Sequence, residues 1–226
     1  MFDYQLKLSK RRKTVAIKVT PEHVMVLAPE NVCHVSMRQW LATKQSWVKQ
    51  QQLKLLDAPS LQNPMSSRTL LIFGVHYQIV VDAVSTSSIC HQKKMIFLPQ
   101  SLTENVKRLR ATLIQLLVNE LAKYLDEHLT QYAEAMKCSI SSIKVREYKS
   151  RWGSCSSKKA LTFNCLLLGA PKHMINYVIV HELAHCHVLA HNAHFWAIVE
   201  KHFQAHKQAR RWFKVNSKSL MIEYNL

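Results

Sequence analysis

The chain has 226 residues, 48% of them apolar, and carries 31 Lys and Arg against 14 Asp and Glu, a formal net charge of +17. That length can bury a core, in one large or two small domains, and no apolar run reaches the ~18 residues a membrane helix needs. Its three glycines, Gly74, Gly153 and Gly169, exclude a GxGxxG turn and a Walker loop, so any phosphate would be held by metal and basic side chains.

The N-terminus, MFDYQLKLSKRRK, turns basic without an apolar segment, so no secretory signal is expected and the cytoplasm is the expected compartment. Lys13–Val19 alternates and is β-branched, and His23–Ala28 follows Pro21, which predicts a hairpin. Ser36 is the expected N-cap of a helix to about Leu56, with Met37, Trp40, Leu41, Trp47 and Val48 at helical spacing. Asp57–Arg68 (DAPSLQNPMSSR) has loop composition. Leu70–Phe73 and Tyr77–Val81 flank Gly74 as a second hairpin, and a short strand is expected near Met95–Leu98, after the polar Ser85–Lys94.

From Leu102 to about Met136 a long helix is expected, with Leu109, Leu113, Leu116, Leu117, Leu121 and Leu125 along one side. Ile143–Tyr148 and Leu161–Leu168 read as strands around a polar, basic loop. Pro171 opens a helix to about Leu189, and a last helix is expected from near Asn192. The expected fold class is α+β, with a β-rich part carrying one helix over residues 1–100 and a metal-binding part over 101–226.

Six cysteines (Cys33, Cys90, Cys138, Cys155, Cys165 and Cys186) form no CxxC pair and are expected to be reduced, structural thiols. Positive charge gathers in residues 7–18, in 144–159 and from Lys201 onward. Such a field favours polyanions and says nothing about fold.

The stretch HELAHCHVLAHNAHFW, His181 to Trp196, carries the chemistry. Residues four apart share a helix face, so His181 and His185 are placed to hold one ion, with Glu182 ~100° around the helix as a base and not a ligand. A catalytic zinc needs a third protein ligand and one open position. His187 points away from that face. On a straight helix His191 would lie ~9 Å beyond His185, so the chain must turn back after about Leu189. Asn192 is a plausible cap for the next helix, which would leave His191 on the turn as the expected third ligand, with His194 the alternative. One zinc ion is expected in an all-imidazole site, other divalent transition metals being possible occupants. Tyr177, one turn before His181, is a candidate to orient a ligand or donate to an oxyanion.

With these motifs the chain resembles the YgjP-like metallopeptidase-domain family, a bacterial zincin group related to the SprT and WLM proteases. The resemblance rests on SRWGSCS (Ser150–Ser156), Asn164, Pro171 and NYVIVHELAHCHVLAHNAHFW (Asn176–Trp196), with RRKTVAIKV, VLAP and KQSWV in the front part. It implies a zincin-like catalytic half, with the HExxH helix packed on a small sheet. It also implies His181, His185 and His191 as metal ligands, and Glu182 as catalytic acid/base. A strand beside that helix would border the cleft, bringing Arg151 and Asn164 near the metal as substrate-binding residues. Asn176 departs from the family's usual Asp, Cys186 and His187 stand where apolar or acidic residues are common, and the usual Gly near Ala160 is missing.

The expected activity is that of a zinc-dependent hydrolase, a metallopeptidase using metal-activated water with Glu182 as general base. The alternatives are a metal-dependent nucleoside triphosphate pyrophosphohydrolase on the same site, and a nucleic-acid-associated protease or binding module. The last rests on charge alone. The substrate is thus a peptide, a protein or a nucleotide, and no membrane partner is expected.

Overall fold

Alternation along VMVLAP buries Val24, Val26 and Ala28 on one face of strand β3 (Val24–Pro29). It does so in a computed structural model of the chain, which describes residues 2–20, 23–56 and 68–223. β3 is central in a three-stranded sheet, pairing antiparallel with β2 (Ala16–Val19) and parallel with β1 (Gln5–Ser9). The β2–β3 pair is the expected hairpin; β1 was not foreseen, because LKL is short and runs into the basic segment. Met37 and Leu41 of helix α1 (His34–Thr43) close a small core with Val26 and Ala28. The expected single helix is broken at Lys44, and α2 (Gln45–Leu56) follows. Cys33, not Ser36, precedes the first helical residue, and the Ser36 hydroxyl turns back to the Cys33 sulfur at 3.4 Å.

The chain divides into two units, Met1–Leu61 and Gln62–Leu226. Within the second unit the sheet over residues 69–99 shares its core with the long helix. Apart from Arg68, the expected Asp57–Arg68 loop lies outside the described residues.

In the second unit, β4 (Thr69–Ile72), β5 (Val75–Asp82), β6 (Ser88–Cys90) and β7 (Met95–Pro99) form a sheet of order β4-β5-β7-β6. Phe73 and Gly74, both at positive φ, make the two-residue β4–β5 turn, the geometry that matches strand twist in a tight hairpin. The turn's N–H groups donate to the Leu168 and Gly169 carbonyls, and a Cβ at Gly74 would lie 2.9 Å from Pro171. The turn therefore seats itself at the start of the helix that Pro171 opens.

Helix α3 (Val106–Ala135) is the expected long helix, capped by the Asn105 side chain, which accepts from the Arg108 N–H. Leu109, Leu113, Leu117, Leu121, Leu125 and Leu129 are all buried, one turn apart. Strands β8 (Ser142–Arg146), β9 (Gly153–Cys155) and β10 (Ala160–Asn164) form a second sheet of order β8-β10-β9. β10 runs into a buried 3₁₀ segment, Cys165–Gly169. Helix α4 (Lys172–Ala184) buries Ile175, Val178, Ile179, Val180 and Leu183 on several faces, as the run YVIV requires of a helix inside the core. Helices α5 (Ala193–His202) and α6 (His206–Glu223) complete the chain. The sequence foresaw one final helix, and the break near Phe203 carries no Gly or Pro to announce it. No described helix is long and apolar enough to cross a membrane.

Candidate metal centre

His181 sits in the last turn of α4, and His185 is its C-cap, still in right-handed helical geometry. Residues i and i+4 therefore remain on one face although the helix ends at Ala184, not Leu189. The Cys186, His187 and Val188 N–H groups close back onto the Leu183 and Ala184 carbonyls. Asn192 then caps α5, its side chain accepting from Phe195 N–H at 3.0 Å. This glycine-free reversal returns His191 to the ligand face. The Nε2 atoms of His181 and His191 are 3.0 Å apart, and the ligand atoms of His181, His185 and His191 all lie within 4.8 Å of one another.

The residues fit a divalent metal. Two nitrogens bound to one zinc at tetrahedral angles stand about 3.3 Å apart, close to the spacing seen. The His185 Nδ1–H donates to the Val188 carbonyl at 3.0 Å, which fixes the tautomer and leaves Nε2 its lone pair. Burial, then His185, His191 and Arg210, hold His181 down to about 3, so it is a neutral donor at ordinary pH. The buried Phe195 ring packs within 5.0 Å of all three imidazoles, centroid to centroid. Trp196 stacks on His191 at 5.8 Å and takes the Arg210 guanidinium over its ring at 4.2 Å. His194 is exposed on α5 and outside the ligand group. His187 contacts the Met136 carbonyl and Cys138 instead.

Glu182 is 5% exposed, and burial pushes its carboxyl up to about 8, with Arg151 opposing. Its carboxylate packs on Gly153: a Cβ there would meet Oε1 at 2.6 Å. Glu182 thereby stands where two cavities meet. One, about 290 Å³, lies on the ligand side and reaches His185 and His191. The other, about 500 Å³, extends between β9 and α6, and both are lined by Arg151, Gly153, His181 and Glu182.

Arg151 is thus at the junction, and Tyr177 lines the larger cavity. Burial pushes the Tyr177 hydroxyl up to about 12, so it stays protonated. Asn164 has a different place. It is fully buried and lines neither cavity. Its amide donates to the Tyr148 and Arg151 carbonyls and accepts from the Tyr148 and Leu166 N–H groups. It holds the loop that delivers Arg151 and Gly153. Asn164→Ala is expected to destabilise the fold by about 3 kcal/mol, since four backbone groups lose their partner; a shift under about 1 kcal/mol in denaturant unfolding would refute that role.

Sequence reasoning missed Arg210, Lys214 and Ser217, which line the larger cavity from α6. Their i, i+4, i+7 spacing was available, but it has meaning only once α6 is recognised as a separate helix.

A glutamate on the α4 helix beside three converging imidazoles gives the α+β unit a zincin-like half. The chain belongs to the YgjP-like family: that family's metallopeptidase-domain model matches residues 13–216. A solved structure, the metallopeptidase zymogen of Pyrococcus abyssi abylysin, is similar over 40% of this chain and 92% of that one, with 23% identity and a TM-score of 0.37. No curated protein matches.

Proposed function

We propose that the chain is a zinc-dependent peptidase, with His181, His185 and His191 as ligands and Glu182 as general base. One observation carries the reading: Glu182 is buried against Gly153 at the junction of two cavities that share His181. Bound zinc supplies Lewis acidity, which lowers the pKa of water and polarises a carbonyl. Glu182 takes the proton of the attacking water and returns it to the amine nitrogen as the C–N bond breaks. Arg151, and the Tyr177 hydroxyl as a donor, both of which line the larger cavity, stabilise the charge that develops on the carbonyl oxygen. All six cysteines are free thiols, in keeping with a reducing, cytoplasmic setting.

The test is a parallel screen of the zinc-loaded protein on unstructured polypeptide, nucleoside triphosphates and DNA. Polypeptide cleavage that stops on chelation is the expected result. Hydrolysis of nucleotides alone would replace the reading with a pyrophosphohydrolase, which the basic side chains of the larger cavity would also serve. His191→Ala is expected to lose the metal and His194→Ala to keep it, measured by atomic emission on the purified variants. The reverse order would move the third ligand.

A further inference from the structure

The larger cavity is lined by more cations than acids. Its cationic lining groups are Arg151, Arg210 and Lys214, and its one acid is Glu182, at the end nearest the ligands. Among the described residues none of the three cations forms an ion pair with a carboxylate, as holds for most Lys and Arg of this basic chain, although the charge of Arg151 acts on the Glu182 carboxyl. Two of the three are also held in place. Arg210 lies on the Trp196 ring at 4.2 Å, and Arg151 lies over the Tyr148 ring at 5.5 Å. Lys214 follows Arg210 by one turn, so the two project from one face of α6. The same cavity is lined by the aromatic side chains of Trp152, Tyr177 and Phe213; the Trp152 indole is fixed by its N–H, which donates to the Ser217 hydroxyl at 2.8 Å.

An aromatic lining together with three cations in one cavity matches a group with a hydrocarbon stem and a carboxylate tip. We propose that this cavity is the specificity pocket of the peptidase, receiving an acidic group of the substrate next to the bond that is cut. The inference rests on the peptidase reading above and names its substrate class: peptides bearing a glutamate side chain, or ending in a free carboxylate, at that position. Arg210 and Lys214 bind the carboxylate, the aromatic lining takes the stem, and Arg151 stands between the pocket and the reacting carbonyl. Charge complementarity selects the occupant, since a basic side chain would meet three like charges in one cavity.

The experiment separates this inference from the reading beneath it by measuring binding as well as cleavage. Four fluorescent hexapeptides differ at one position or at the terminus: Glu, Gln and Lys versions with amidated ends, and the Gln version with a free C-terminal carboxylate. Binding is measured by anisotropy at low salt to the zinc-loaded Glu182→Gln protein. Cleavage is measured as kcat/KM with the wild type.

The Glu peptide is expected to bind about tenfold tighter than the Gln peptide, and the Lys peptide weakest, with the advantage shrinking as salt rises. Adding R210E and K214E should invert the order. R210Q with K214Q should bring the Glu-to-Gln ratio near one, and stands in if the charge reversal fails to fold; zinc content and thermal melting check both. An advantage that follows the free terminus instead of Glu assigns the pocket to a C-terminal carboxylate. Equal binding of all four peptides, or a Glu advantage that survives both double variants, overturns the proposal. Tight binding of a nucleoside triphosphate with no peptide bound overturns it too. Selective binding of the Glu peptide with no peptide cleaved by the wild type would sink the peptidase reading and leave the pocket standing.

Discussion

Glu182→Gln is expected to lower peptide turnover by about 10²- to 10⁴-fold while the protein retains its full zinc content. The substitution keeps the shape of the side chain, so its seat against Gly153 and the two cavities are preserved. It removes only the capacity to accept a proton. The proposed ligands are His181, His185 and His191, whose donor atoms cluster without any from Glu182, so the metal is expected to stay. Turnover should fall with little change in KM, because the proton transfer belongs to the transition state and not to substrate binding. Loss of zinc in step with activity would make Glu182 part of the ligand sphere and end its assignment as base.

The second large effect is expected from a residue with no functional group. In Gly153→Ala the new methyl would lie 2.6 to 2.8 Å from Oε1, Cγ and Cδ of Glu182, far inside van der Waals contact. Both partners are constrained: Glu182 is buried, and Gly153 is paired with Phe163 in the β9–β10 ladder. The carboxylate must swing away or the strand must lift. Displacing a base by about 1 Å costs on the order of 10²-fold in rate, and that is the expected fall in kcat/KM. Zinc content should stay near wild type, since the nearest atoms to the new methyl all belong to Glu182 and none to an imidazole. Full activity in Gly153→Ala would show that the carboxylate does not work from the position seen here.

Much of this architecture was legible because its signals are periodic. Leucines four apart announced α3, and the spacing of His181 and His185 placed both on one helix face. The turn after the helix followed from a distance, since a straight helix carries His191 too far from His185, while the choice of His191 over His194 leaned on the family resemblance. What stayed hidden lacks such a signal. β9 is three residues long, and its sequence GSC has no apolar alternation, so it read as loop. Yet it forms the wall on which Glu182 rests. The expected helix cap at Ser36 met a different start, since a hydroxyl two residues inside a helix looks the same in sequence as one at its edge. Asn164 has the polarity expected of a substrate contact, and only burial shows that its amide is committed to the backbone around it. The split between α5 and α6 has no Gly or Pro, and with it the cationic wall of the larger cavity escaped notice.

The pile of Arg210 on Trp196 on His191 has a consequence for biosynthesis. Every donor atom has been translated by residue 191, yet the clamp that steadies the last of them arrives nineteen positions later, in the final helix. A nascent chain therefore acquires its histidines before it can hold them in place. The ring stack on His191 is completed only by a residue of α6, so ordering of that histidine is tied to the docking of α6.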